Sequence, residues 1–375
     1  MKDEGPLLCQ ALADPGRTPG YSPRQWEALV IEGRVSGLLA KLHFVLEDAG
    51  RLDDVPDGPR MHLDSARLLA DEQHIALNHE LTQLGQLLRP LGCPLVLLKG
   101  AAYVRTGMKA AGGRRFSDID ILVPKDRLSE VEALLMRHGW VSGHRDAYDQ
   151  RYYRQWMHEI PPMQHIRRGT TLDIHHAITP STSRIRADSL RMLADASPAT
   201  AGDAWYALAP LDRVLHSATH LFLESEFHNG LRDLADLHTL LGELHATTPD
   251  FMNALHARAA ETGLRRPLHY ALRYVRAFFG AQALPFGADL ARDAPPAWIG
   301  HLMDACFRQA FTPYSPLRPS SAWREPGLFA LYVRGHWLRM PAHLLAYHLT
   351  RKAIMTRLEK SRDNRNSDQN TTHDA

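Results

Sequence analysis

The sequence predicts an α+β fold: a small mixed sheet in the middle of the chain, flanked by an N-terminal helical segment and a larger C-terminal helical domain. Three observations predict it. Residues 22–92 and 201–360 carry apolar side chains mostly at three- and four-residue steps, the period of an amphipathic helix. Residues 94–123 hold two short apolar runs, Leu95–Leu98 and Ile119–Val123, around a polar, glycine-bearing loop; this reads as strand, tight turn, short helix, loop, strand. Residues 157–178 read as a hairpin turning at Arg167-Arg168-Gly169-Thr170.

At 375 residues the chain exceeds one ordinary domain, taken as roughly 150 residues. The composition divides it into a flexible arm (1–21), a helical segment (22–92), an α/β core (93–200), a helical domain (201–360) and a disordered tail (361–375). Hydrophobic (44%) and charged (23%) fractions fit a soluble globular protein, and a formal charge of +2 gives no strong nucleic-acid signal. The 22 histidines are scattered, which suits surface and half-buried positions better than one metal cluster. Cys9, Cys93 and Cys306 form no Cys-x-x-Cys pair, so neither a disulfide framework nor a structural zinc site follows, and a reducing cytoplasm fits. No apolar stretch resembles a signal peptide, and no run of about 18 uncharged apolar residues predicts a spanning helix.

Taken in order, Ser22-Pro23 starts a helix running to about Glu47 and broken near Gly33. Residues 49–60 are a turn-rich connector, and a second helix covers about Leu63–Leu88, stopped by Pro90 and Gly92. After the central strands, Asp126 is expected to cap a helix through Leu128, Val131, Leu134 and Leu135 that ends at Gly139. In the hairpin, Thr171–His175 alternates clearly, whereas Pro161-Pro162 marks the first arm as an edge or a bulge. From Pro210 the chain is helical: stripes through Leu211–Phe222 and Leu231–Leu240, then 251–279, 297–311, a Pro- and Ser-rich loop at 313–327, and a last stretch at about 327–360. That last stretch mixes Phe329, Tyr332, Trp337 and Leu338 with Arg351, Lys352, Arg357 and Lys360. Packing on the helical domain or a second subunit, or peripheral contact with a membrane surface, would each use such a mixture.

The chemistry-bearing residues cluster on the strands. Asp118 and Asp120, two apart on a strand, project from one face, while Ile119, Ile121 and Val123 point into the core. Adjacent carboxylates repel unless a cation lies between them, which points to a divalent metal. Asp173 on the hairpin is the third candidate ligand if its strand lies alongside. Magnesium suits such an all-oxygen set, with manganese the alternative. Lys99-Gly100 closes the first strand, where glycine permits close approach of the backbone to a phosphate. Lys109, Arg114 and Arg115 in the following loop could reach phosphate oxygens, and Ser117 either contacts phosphate or caps the strand. His158 and His175 either touch substrate, orient Asp173, or are ordinary hairpin residues; by alternation His175 shares a face with Asp173 and His176 does not.

In this order, Val96-Leu-Leu-Lys-Gly-Ala-Ala102, Arg115-Phe-Ser-Asp-Ile-Asp-Ile-Leu-Val123 and Leu172-Asp-Ile-His-His176 resemble the bacterial uncharacterised nucleotidyltransferase family of the polymerase-β-like superfamily. The resemblance spans about residues 70–245 and takes in Leu231-Arg-Asp-Leu-Ala-Asp236. It implies a nucleotidyltransferase-type sheet, magnesium held by Asp118, Asp120 and Asp173, and Asp173 as the group drawing a proton from the acceptor. It further implies nucleotide binding at Lys99, Gly100, Ala101, Arg115 and Ser117, with Gly100 under the triphosphate. The reaction implied moves a nucleoside monophosphate from a nucleoside triphosphate to a hydroxyl of a small molecule or a protein, releasing pyrophosphate. Asp236 would be either functional or a buried partner of an arginine. Better understood members of the superfamily carry Gly-Gly or Gly-Ser at the turn; Gly100-Ala101 lacks that hydroxyl. This departure is the cue for an alternative, a catalytically inactive binding or scaffold protein of the same fold. A third reading, a hydrolase holding zinc or manganese through Asp173, His175 and His158, rests on the imidazoles.

Overall fold

The first helix of the computed structural model, α1 (Leu7–Ala13), lies where composition predicts a loose arm. Leu7, Leu8, Cys9, Ala11 and Leu12 are all buried. Glu32, itself buried, accepts a hydrogen bond from the Leu8 backbone N–H at 2.9 Å, which satisfies a first-turn donor inside the core. A 3-10 turn over Pro15–Gly20 absorbs the prolines and glycines that gave the segment its loop-like composition. The structure describes residues 5–142, 156–281 and 290–341. The tail 361–375 and the basic residues Arg351, Lys352, Arg357 and Lys360 lie outside them.

Ser22 and Gln25 form a reciprocal capping box that starts α2 (Pro23–Val35). The long helix predicted to Glu47 breaks at Gly37, whose φ of +69° favours glycine, rather than at Gly33; α3 (Leu39–Asp48) follows. Gly33 stays within α2, where a Cβ would meet Leu39 Cδ2 at 2.7 Å, so its role is close helix contact. The next helix, α4 (Asp57–Leu88), starts six residues before the predicted Leu63. Then come β1 (Leu95–Leu97), α5 (Lys99–Arg105), β2 (Ile119–Leu122) and α6 (Leu128–Arg137). Asp126 does not cap α6: a 3-10 turn over Lys125–Arg127 leads into it, and no side chain caps its start.

Three short strands follow: β3 (Trp140–Ser142), β4 (Met163–His165) and β5 (Thr171–His175). After α7 (Ser189–Ala194) come β6 (Ser197–Pro198) and β7 (Trp205–Ala207). All seven strands form one mixed open sheet in the order β3-β4-β5-β2-β1-β7-β6. The pairs β2–β5 and β1–β7 are parallel and the remaining pairs antiparallel. The predicted hairpin forms, but its first arm is short: Pro161-Pro162 interrupts it, and β4 is an interior strand paired to β3 as well as β5. Before the prolines, Ile160 N–H donates to Ile174 C=O at 3.0 Å and Glu159 bridges His175, so the chain rejoins β5 at the end that carries the site.

The remaining helices are α8 (Pro210–Leu223), α9 (Gly230–Thr247), α10 (Phe251–Glu261), α11 (Arg265–Phe279), α12 (Ala297–Phe311) and α13 (Arg324–Arg339). Three of them, α8, α11 and α12, meet around Phe222, Tyr270, Tyr274, Phe307 and Phe311, whose rings stack, tilt or meet edge-on at 4.9–6.1 Å between centres. The loop after α8 packs against α13: a Cβ at Gly335 would lie 2.7 Å from Glu224 O and from Ser225 Cα. Among the described residues no helix is long and apolar enough to cross a membrane.

Candidate active site

Strand pairing brings the three carboxylates together. Asp120 on β2 is directly opposite Asp173 on the parallel strand β5, and Asp118 lies one residue ahead of β2. Ile119, Ile121 and Val123 are buried on the other face, as alternation requires. One oxygen from each of Asp118, Asp120 and Asp173 lies within 4.8 Å of the other two. Ser117 Oγ donates to Asp118 Oδ1 at 2.8 Å.

Two cationic groups face Asp120. Lys99, at the turn from β1 into α5, adopts φ +46°, and its Nζ reaches Asp120 Oδ1 at 2.8 Å. A lysine held in the left-handed region is strained, and the ion pair is what that conformation delivers. His175 Nε2 lies 3.1 Å from the same Oδ1, and its Nδ1 lies 3.4 Å from Glu159 Oε2. Burial alone would raise the Asp120 carboxyl, but the Lys99 charge and the His175 hydrogen bond hold it well below the usual carboxylate range. Burial likewise works against protonation of His175, and its bond to Asp120 and the Glu159 charge outweigh this and raise its value.

Asp173 differs from its neighbours. Its Oδ1 is buried with no hydrogen-bond partner. Burial first, and then the charges of Asp120 and Asp118, raise its carboxyl to about 8. A buried, unpartnered carboxylate oxygen beside two further carboxylates is the donor set a divalent cation satisfies, so the residues fit such an ion.

The other predicted residues separate into two groups. Lys99, Gly100, Arg114, Ser117, His158 and His175 line the same cleft as the carboxylates, a cavity of about 390 Å³. Ala101 is buried outside the lining, and Arg115 is exposed outside it. Lys109 pairs with Asp48 at 3.1 Å and lines a different hollow, so it does not reach the carboxylates. Arg114 is buried between the Tyr103 and Phe116 rings, and its Nε donates to Asp236 Oδ2 at 2.6 Å. It ties the loop before β2 to α9, which makes Asp236 the buried partner of an arginine. The space over Gly100 belongs to Arg114 and Phe116: a Cβ there would meet Arg114 Nη1 at 2.2 Å and Phe116 Cε1 at 2.5 Å.

With three carboxylates on paired parallel strands behind a Lys-Gly turn, the comparison with protein families becomes decisive. The model of the family described as uncharacterised nucleotidyltransferase matches residues 22–280. The chain belongs to that family. None of the curated proteins compared with the chain matches it. The nucleotidyltransferase family match includes every carboxylate of the site, together with Lys99, Gly100, His158 and His175.

The far wall of the cleft was not foreseen from sequence. His220, Glu224, Arg232 and Asp233 come from α8, the loop after it and α9, and Arg339 comes from the end of α13, beyond the family match. Arg339 Nη1 lies 3.2 Å from Glu224 Oε1. Glu159, also missed, stands beside Pro161-Pro162, where no strand pattern signals its direction. The neighbouring Pro162 and the pairing of His158 and Glu159 in sequence were the available hints.

Proposed function

We propose that the protein is a metal-dependent nucleotidyltransferase of the polymerase-β-like type. It moves a nucleoside monophosphate from a nucleoside triphosphate, ATP being the first to try, to an acceptor hydroxyl. The acceptor is a small molecule or a protein. The acceptor oxygen bonds to the α-phosphorus as the bond to the bridging oxygen breaks, and pyrophosphate leaves. The observation that carries this is the convergence of Asp118, Asp120 and Asp173 within 4.8 Å in a cleft of a family member.

Asp118, Asp120 and Asp173 would hold magnesium, with manganese the alternative. A divalent ion there supplies charge neutralisation for the phosphate oxygens and for the departing pyrophosphate. Lys99 and His175 both engage Asp120 Oδ1, which keeps that carboxylate ionised and leaves Oδ2 for an ion. Asp173, whose carboxyl is raised in the ion-free site and is ionised once an ion is held, is the group proposed to take the proton from the acceptor hydroxyl. Ser117 steadies Asp118 from outside. Calorimetric titration of each ribonucleoside triphosphate, with magnesium and then with EDTA, tests the reading. Binding that needs magnesium and is lost in Asp118→Asn is the expected result.

Two observations favour the second reading, an inactive binding or scaffold protein. Lys99 already neutralises Asp120, and Arg114 and Phe116 fill the room over Gly100 where a triphosphate would approach. On that reading no triphosphate binds in a magnesium-dependent way, and the same titration decides between the two.

A further inference from the structure

We propose a second cation site in the same cleft, held by His158, Glu159 and His175 and taking a zinc-class divalent cation. Each of the three brings one ligand atom within 4.8 Å of the others. Two backbone pairings build the set. The residues ahead of Pro161-Pro162 rejoin the end of β5, where Glu159 bridges His175 and His176 N–H donates to His158 C=O at 2.8 Å. His158 and His175 thereby lie 5.2 Å apart between ring centres, tilted at 37°, with Glu159 between them in the chain.

Three further observations fit an ion at this set. His175 Nδ1 and Glu159 Oε2 are 3.4 Å apart, and ligand atoms about 2.0–2.2 Å from a tetrahedral zinc lie about 3.3–3.6 Å from one another. The opposite ring nitrogen, Nε2, faces Asp120 Oδ1 at 3.1 Å, the carboxylate–histidine arrangement that orients a metal-binding imidazole. His158 keeps a buried Nδ1 with no hydrogen-bond partner, although it lines a polar cleft. Two imidazoles and one carboxylate select zinc, and its first-row neighbours, over magnesium, whereas the aspartate group beside them is an all-oxygen set. Three protein ligands leave a fourth position for a water or a substrate oxygen. On binding, the ion takes the place of the proton between His175 Nδ1 and Glu159, and that proton passes to solvent. The inference does not rest on nucleotidyl transfer; a chain without turnover would still bind the ion.

The test is binding of cobalt(II) and zinc to the full chain after chelator stripping. Cobalt(II) reports tetrahedral nitrogen and oxygen ligation by its visible absorption. A tetrahedral cobalt(II) spectrum is expected in the unmodified protein and in Asp118→Asn, beside any octahedral ion held at Asp118, Asp120 and Asp173. His158→Gln and Glu159→Gln should each weaken binding at least about tenfold, in the range that loss of a metal-site partner produces. X-ray absorption of the zinc-loaded, unmodified chain reads the ligands without any variant, and a shell containing two imidazoles is expected. A shell with no imidazole, no binding of either metal, or octahedral cobalt as the sole bound species, lost in Asp118→Asn, would overturn the proposal.

Discussion

Lowering the pH to 6 should weaken divalent-ion binding at Asp118, Asp120 and Asp173 about 100-fold relative to its value above pH 9. The Asp173 carboxyl is raised to about 8 by burial, and then by the charges of Asp120 and Asp118. An ion needs that carboxylate ionised, so below this value binding must expel a proton and the affinity falls tenfold per unit. The loss is about twofold at pH 8, tenfold at pH 7 and 100-fold at pH 6. Asp120, held well below the usual range, stays ionised throughout and adds nothing to the slope. Titration calorimetry with manganese, run in buffers of different ionisation enthalpy, measures both the affinity and the protons released. About one proton per ion is expected between pH 6 and 7, falling towards zero above pH 9. Asp173→Asn should bind more weakly and release no proton at this step. An affinity that is flat from pH 6 to 9 in the unmodified protein, or no proton release at pH 6.5, would refute the assignment of Asp173 to the ion.

The same group predicts a stability effect. In the metal-free protein folded Asp173 keeps a proton that the unfolded chain gives up above about pH 4, so its contribution to stability declines as pH rises from about 4 to about 8. Asp173→Asn should therefore raise the melting temperature at pH 8 and leave it nearly unchanged at pH 4. Arg114→Ala leaves Asp236 buried without its 2.6 Å partner and should cost about 3–5 kcal/mol, read from urea denaturation. Gly100→Ala drives a Cβ to 2.2 Å from Arg114 Nη1 and should lower stability by about 1–3 kcal/mol while displacing the arginine, seen as a reduced denaturation midpoint. Lys109→Ala, far from the carboxylates, should leave the affinity for any triphosphate within about twofold in the calorimeter.

The centre of the site was legible because its signals are local and periodic. Asp118 and Asp120 lie two apart before an alternating run, and Asp173 sits in the clearest alternation of the hairpin. Strand pairing then needed only to choose β5 as the neighbour of β2. The mixed α+β class followed from the change of period along the chain. Residues whose position depends on how helices dock gave no such signal: Glu224 and Arg339 meet on one wall of the cleft from positions 115 apart in sequence. Lys109 and Arg115 misled for the opposite reason. Charge and loop position were right for phosphate, but the loop turns each away, Lys109 towards Asp48 and Arg115 towards solvent. The amino-terminal helix was hidden by Pro and Gly on both sides of a single short apolar run, and only the buried Glu32 explains why that run folds inward.

Arg339 also fixes when the cleft can be completed as the chain is made. Asp118, Asp120 and Asp173 are all synthesised before the midpoint of the sequence, whereas the guanidinium against Glu224 belongs to the end of α13. A growing chain therefore carries the acidic residues at least 166 positions ahead of Arg339, with His220, Glu224, Arg232 and Asp233 of the same wall added in between.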